Sequence, residues 1–256
     1  MTDLASFNVT YFPSGQHNLK IVSEIPVQSN NPHEASSTSE SGQTQDPNNT
    51  VSVLRLFYPA NSVNPASQPV GGSEFYAAPL NLSGARNVTM EYSVFFPADF
   101  IWVKGGKLPG LYGGHIGCSG GAAARTCFST RLMWRPHGAG ELYLYAPKDK
   151  QTAALCSDPQ SVCDATYGLS VGRGSFHYTP GAWTFLRQNV VLNMPGQQDG
   201  IFTLEVNGIR VINRTDIFYR DVSSQHNTFF GGHGEQYATP KDQYTWFANF
   251  SITRHL

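Results

Sequence analysis

An all-β chain, folded as a single-domain antiparallel β-sandwich of the jelly-roll kind with a concave cleft on one sheet, is predicted by three observations on this 256-residue sequence. Short segments of alternating apolar and polar residues recur along it, stretches rich in Gly and Pro separate them, and no stretch sustains the 3.6-residue apolar period of an amphipathic helix. The 25 Gly and 16 Pro supply the turns that so many strands need. A length of this order is usual for one all-β unit, so residues 1–256 are read as one domain. The hollow of a curved sheet suits a long polymer better than a closed pocket would.

Taken in order, Leu4 to Phe12 reads as a strand and Leu19 to Val27 as a second short apolar piece. Residues 29–50 are almost wholly Ser, Asn, Gln, Pro, Glu and Thr, cannot bury apolar surface, and are expected to form a long surface loop. A domain boundary there is disfavoured, because the piece before it is too short to hold a core. Val51 to Tyr58 alternates with period two and stops at Pro59; Ser73 to Ala77 follows a polar loop; Val88 to Phe96 is closed by Pro97. Phe128 to Arg135 and Glu141 to Tyr145 flank a turn over 136–140. Ala182 to Asn193, Ile201 to Asn213, Thr228 to Gly231 and Tyr244 to Arg254 complete the strands, with Asn207-Gly208 a type I′ hairpin signal.

Bulk properties exclude some classes of partner. The net charge is −1 and charged residues are 14%, against roughly 25% in an average soluble domain, which argues against general electrostatic binding of nucleic acid. No apolar run is long enough to span a membrane. Cys118, Cys127, Cys156 and Cys163 lack CxxC spacing, so zinc is disfavoured. Three pairings are open on sequence alone; the local pairs 118–127 and 156–163 are preferred, each stapling a loop in an oxidising compartment. Sequons at Asn8, Asn48, Asn81, Asn87, Asn213 and Asn249 point the same way. The chain is therefore read as a mature secreted protein with its signal removed, glycosylated and monomeric.

The rest of the chain is organised around residues 102–145. Residues two apart on a strand share a face, so Ser129 and Arg131 point one way and Tyr143 and Tyr145 do likewise. Pairing of the two strands would gather these four side chains on one surface, with Lys107 delivered from the preceding loop. A hydroxyl, a guanidinium, two phenols and an ammonium suit an acidic sugar, and no carboxylate belongs to this set. Alternating Tyr alone usually marks a half-buried sheet face, and a lone Ser or Arg on a strand usually faces solvent; the joint pattern with the lysine is what carries weight.

The run Lys104-Gly105-Gly106-Lys107-Leu108-Pro109-Gly110-Leu111, together with Tyr92-Ser93-Val94-Phe95-Phe96-Pro97, resembles polysaccharide lyase family 14, the alginate and glucuronan lyases of chlorella viruses, molluscs and fungi. It is also similar to the fungal glucuronan lyases of family 20. The resemblance covers most of residues 50–254 and is densest over 90–147. It implies a catalytic face built from Lys107, Ser129, Arg131, Tyr143 and Tyr145, all present in the family's order. Related lyases also place a Gln or His in the cleft; His115 and Glu74 are the candidates here, and with Arg131 and Lys104 they make the substrate-binding set.

What the resemblance implies is an endo-acting polyuronate lyase that needs no cofactor and cuts β-1,4-glucuronan, or mannuronate-rich alginate, by β-elimination. The C5 proton of a uronate is barely acidic while its carboxylate is charged, so a cation must first neutralise that group; the planar fork of Arg131 is suited to it. A phenol made basic by Lys107 and Arg131 then removes the proton, with Lys107 as the alternative base if it is desolvated. Phe229 to Gly234 with Asp242 reads first as glycine turns and second as a structural calcium site or cleft wall. Trp134, Trp183 and Trp246 read as core. The rivals are a non-catalytic carbohydrate-binding module for acidic glycans and, more weakly, a glycoside hydrolase. The latter needs a carboxylate pair for which Glu74, Glu91 and Glu205 show no motif.

Overall fold

The computed structural model describes residues 3–23, 52–163, 166–221 and 237–255. The expected surface loop over 29–50, the strand at 228–231 and the Phe229–Gly234 run lie outside these residues. Among the described residues there are fourteen strands: β1 (Val9–Ser14), β2 (Leu19–Val22), β3 (Val53–Tyr58), β4 (Glu74–Ala77), β5 (Asn87–Phe95), β6 (Gly106–Lys107), β7 (Tyr112–Gly114), β8 (Cys127–Trp134), β9 (Gly140–Tyr145), β10 (Leu169–Val171), β11 (Trp183–Val191), β12 (Gly200–Val206), β13 (Ile209–Ile217) and β14 (Gln243–His255). They form a seven-stranded sheet in the order β13-β12-β11-β5-β14-β3-β2 and a five-stranded sheet in the order β10-β9-β8-β6, with β7 also on β8. β1 and β4 pair separately, and every ladder is antiparallel. The architecture is that of a jelly-roll sandwich.

Two sheets stack because each presents one apolar face. Leu54, Tyr92, Val94, Leu186, Phe202 and Leu204 of the larger sheet belong to the same buried cluster as Leu108, Leu132, Leu142 and Leu144 of the smaller one. Polar groups that enter this interior are paired. The Thr130 hydroxyl donates to the Gln188 side chain at 2.8 Å, and the Tyr92 hydroxyl donates to the Pro109 carbonyl at 3.0 Å. The second bond fixes the Lys107–Pro109 segment to the sandwich from beneath. Gly110 is needed for the same approach, since a Cβ there would lie 2.3 Å from the Thr130 carbonyl oxygen and 2.5 Å from Arg131 Cα.

Several boundaries differ from the sequence reading. The first strand starts at Val9 rather than Leu4: a 3-10 turn occupies Ala5–Phe7, closed by Asn8 in the left-handed conformation. Lys107 lies on a two-residue strand and not in a loop, in register with Met133. Strands β7 and β10 were not expected either, because two or three residues give no readable alternation. The 207–208 hairpin turn is present, with φ of 50° at Asn207 and 81° at Gly208, as a type I′ turn requires. Among the described residues a single α-helix spans Ala153–Ser157, its first turn capped by the Thr152 hydroxyl. Cysteines 118 and 127 form one disulfide and 156 and 163 the other.

Candidate active site

The free face of the five-stranded sheet is a grid. Cross-strand partners point to the same side, and the register sets Lys107 beside Met133 and Met133 beside Glu141. The next row is Arg131, Tyr143 and Ser170, and the row after it Tyr112, Ser129 and Tyr145. Alternate residues of β8 and β9 (Phe128, Leu132, Leu142 and Leu144) face the sandwich interior. Tyr112, Met133, Tyr143 and Tyr145 form a second buried cluster with Tyr76 on the opposite side.

Over this face lies a cavity of about 510 Å³ whose walls include Glu74, Lys107, Arg131, Arg135, Tyr143 and Tyr145. The Lys107 ammonium sits 5.2 Å from the centre of the Tyr143 ring. The Arg131 guanidinium lies 5.6 Å from that ring and 5.3 Å from the Tyr145 ring, close enough for cation–π attraction. The two tyrosine rings meet edge to face at 5.6 Å. Each phenol oxygen accepts a backbone N–H at 3.1 Å, Tyr143 from Gly168 and Tyr145 from Gly121. Gly121 belongs to the loop closed by the 118–127 disulfide, so that staple holds one of the phenols in place.

Of the other sequence candidates, Ser129 is buried on the same face but does not line the cavity; its hydroxyl donates to the Cys118 carbonyl at 3.4 Å. Lys104 and His115 are exposed and do not line it either, and the His115 ring bonds the neighbouring Ile116 carbonyl at 2.7 Å. Glu74, from β4, does line it. Glu91 and Glu205 lie elsewhere, flanking Arg187 at 3.3 Å and 4.0 Å on β5, β11 and β12 of the large sheet. Asp242 accepts the Ala60 N–H at 2.7 Å. Trp134 and Trp183 are buried, and Trp134 also reaches the cavity wall.

Beyond the five side chains gathered from the sequence, the same face also carries a carboxylate. Glu141 is fully buried on it, ion-paired with Arg135 and Arg173 and accepting a hydrogen bond from Ser170 at 2.6 Å. Following the same alternation further, two residues back from Tyr143 to Glu141 and four residues on from Arg131 to Arg135, leads to both members of the Arg135–Glu141 pair.

The cavity shifts its own titrations. Burial, with the charges of Arg131 and Arg135 beside it, holds the Lys107 ammonium well below the usual lysine range, and Glu141 only partly opposes this. Burial raises the Tyr143 phenol above its ordinary range, with Tyr145 adding to the effect. Glu74 is pushed up to about 8 by burial, tempered by the positive charge of Arg131. Near neutral pH the site therefore holds an intact phenol, a protonated carboxyl and a buried guanidinium, beside a lysine that burial biases toward its free-amine form. Above about pH 8, ionised Glu74 would repel an anionic ligand and compete for Arg131. KM for a polyanion is accordingly expected to climb as pH passes that value, and Glu74→Gln is expected to flatten the climb; initial rates across pH 6–10 check both.

The family model for polysaccharide lyase 14 matches residues 46–250. Among solved structures, the marine alginate lyase of that family from Aplysia kurodai superposes with a TM-score of 0.71 at 32% identity, over 80% of this chain and 83% of that one. An alginate lyase from a Chlorella virus gives 0.66 at 25% identity, over 81% and 86%. A protein called exolysin from Paramecium bursaria Chlorella virus 1 is 28% identical over 169 residues, which is 57% of this chain; the chain spans 25% of that relative's length. The match of the family model across most of the sequence settles membership: this chain belongs to polysaccharide lyase family 14.

Proposed function

We propose that the protein is an extracellular, endo-acting polyuronate lyase that cuts β-1,4-linked mannuronate or glucuronate by β-elimination. The observation that carries the reading is that one ring, Tyr143, has both Lys107 at 5.2 Å and Arg131 at 5.6 Å from its centre. A single sugar lying on that ring would meet an amine, a guanidinium and a phenol together. Membership of the lyase family supports the reaction class, and the alginate lyases among the relatives favour alginate, of which mannuronate is a constituent. The fungal resemblance noted in the sequence is what keeps glucuronan beside it. The two disulfides support action in an oxidising compartment.

In the proposed cycle, Arg131 binds the carboxylate and spreads the charge that develops when C5 loses its proton. Lys107, whose ammonium burial holds well below the usual lysine range, takes that proton in its deprotonated form. The C5–H electron pair becomes the C4–C5 double bond, the C4–O4 bond breaks, and the Tyr143 hydroxyl protonates the departing oxygen. The lysine ammonium then returns its proton to the phenolate. This exchanges the roles first expected from the sequence, where a tyrosine was the base. A phenol that burial holds above its normal range gives a proton readily only to a strongly basic leaving oxygen, whereas a lysine held low is a competent base. In both polymers the C5 hydrogen and O4 lie on the same side of the ring, so one face of the enzyme can serve both. Cavity wall continues along β8 and β9 on either side of Tyr143, to Arg135 and to Tyr145, which supports cutting within a chain.

Incubation with polymannuronate, glucuronan and polyguluronate, following ultraviolet absorbance of the unsaturated product and solution viscosity, tests this. Rapid viscosity loss with absorbance growth on one or both of the first two is expected. Polyguluronate, with its opposite arrangement at C4 and C5, should be the poorest substrate. Binding to all three without any absorbance change would leave the carbohydrate-binding module as the better account.

A further inference from the structure

We propose that Arg135, positioned by the buried Glu141, binds the carboxylate of a second uronate next to the one held by Arg131, so that the site reads contiguous charged sugars. This rests on the polyuronate reading above. Arg131 lies on β8 and Arg135 is the residue just past its end, four positions on and about 13 Å of extended chain away, and their side chains are held at different neighbours. Arg131 lies against Tyr143 and Tyr145, whereas Arg135 donates through Nη2 to Oε1 of Glu141. Both line the cavity. Held beside Tyr143 and Tyr145 in one case and by Glu141 in the other, the two guanidiniums are assigned to different rings of a bound chain.

Arg135 is shaped as a fixed donor. Its side chain is 15% exposed, its backbone N–H is tied to the Ala139 carbonyl at 2.7 Å, and the Gly105 backbone comes close enough that a Cβ there would stand 3.4 Å from its Cδ. Its Nε is buried and has no hydrogen-bond partner among the described residues. Glu141 does not neutralise it, because the same carboxylate also serves Arg173, whose Nε lies 2.8 Å from Oε2. One negative charge against two guanidiniums leaves a surplus positive charge at this end of the cavity. The buried Glu141 thus sets the direction of the fork without consuming its charge, and an anion is the ligand that such a fork takes.

The test compares polymannuronate with the same polymer randomly methyl-esterified, so that charged residues become isolated. KM comes from initial rates, and Kd from calorimetry on Lys107→Ala, which retains both guanidiniums. Arg135→Gln is expected to raise KM and Kd for the fully charged polymer on the order of ten- to a hundredfold, with kcat changed far less. The penalty should largely vanish on the esterified polymer. An equal penalty on both polymers, or none on the charged one, overturns the proposal. If Arg135→Gln does not fold, Arg135→Lys keeps the charge and the pairing with Glu141 but loses the fork; wild-type Kd values on both polymers from this variant overturn it as well. Were wild type to cleave nothing yet bind contiguous uronates more tightly than isolated ones, the lyase reading would fail and this inference would stand. Cleavage with indifference to the neighbouring charge would give the reverse.

Discussion

Lys107→Ala is expected to lower kcat by about three orders of magnitude, the usual loss when a general base is removed, while KM changes little. The side chain reaches over Tyr143 and makes no hydrogen bond that the sheet depends on, and the backbone pairing of residue 107 with Met133 does not need the amine. A normal circular dichroism spectrum with a dead enzyme is therefore the expected combination. The pH profile gives the sharper check. An amine held well below the lysine range by burial and by Arg131 and Arg135 must lose its proton to act, so wild-type kcat should rise along an acid limb lying well under pH 10. Lys107→Arg, a cation that cannot deprotonate, should be as inactive as the alanine variant. Retention of a tenth or more of wild-type turnover by either variant would assign the base elsewhere.

Arg131→Ala is expected to lower kcat/KM by about a thousandfold or more, divided between KM and kcat, because the carboxylate loses its partner both in the bound substrate and in the transition state. Arg131 is 1% exposed, and burial lowers its own affinity for the proton. Such a desolvated cation is costly to hold and correspondingly strong toward an incoming carboxylate. Arg131→Lys should recover little, since a point charge does not replace a planar fork. Loss of the guanidinium also removes what tempers Glu74, so the variant's Glu74 carboxyl should titrate above its wild-type value of about 8; carboxyl signals in a pH-dependent NMR series would report it. Unchanged kcat and KM would show that Arg131 is not the clamp.

Much of the sandwich was legible because its long strands carry uninterrupted alternation. β5, β8, β9 and β11 lie within a residue or two of where the sequence put them, and the 207–208 turn is carried by two residues that tolerate positive φ. The short strands were not legible. Gly106–Lys107 has no pattern of its own and becomes a strand only because Leu108 and Pro109 are already bound to the sandwich by the Leu132 carbonyl and the Tyr92 hydroxyl. In the cavity, local alternation was enough to bring Arg131, Tyr143 and Tyr145 together as a hypothesis. Glu74 reaches Arg131's surroundings by a tertiary route through β4, which no local pattern encodes. Lys104 and His115 illustrate the converse: nearness in sequence to a motif does not aim a side chain into the cavity.

The register of β8 against β9 has one more consequence. Ser129, Arg131 and Met133 of β8, Arg135 just past its end, and Glu141, Tyr143 and Tyr145 of β9 stand on the free face, while leucines at 132, 142 and 144 look inward. A single residue added or lost within either strand would exchange those inventories, burying the cations and presenting a greasy wall to the sugar chain. A residue inserted in the connecting segment between Arg135 and Gly140 is expected to leave both inventories in place.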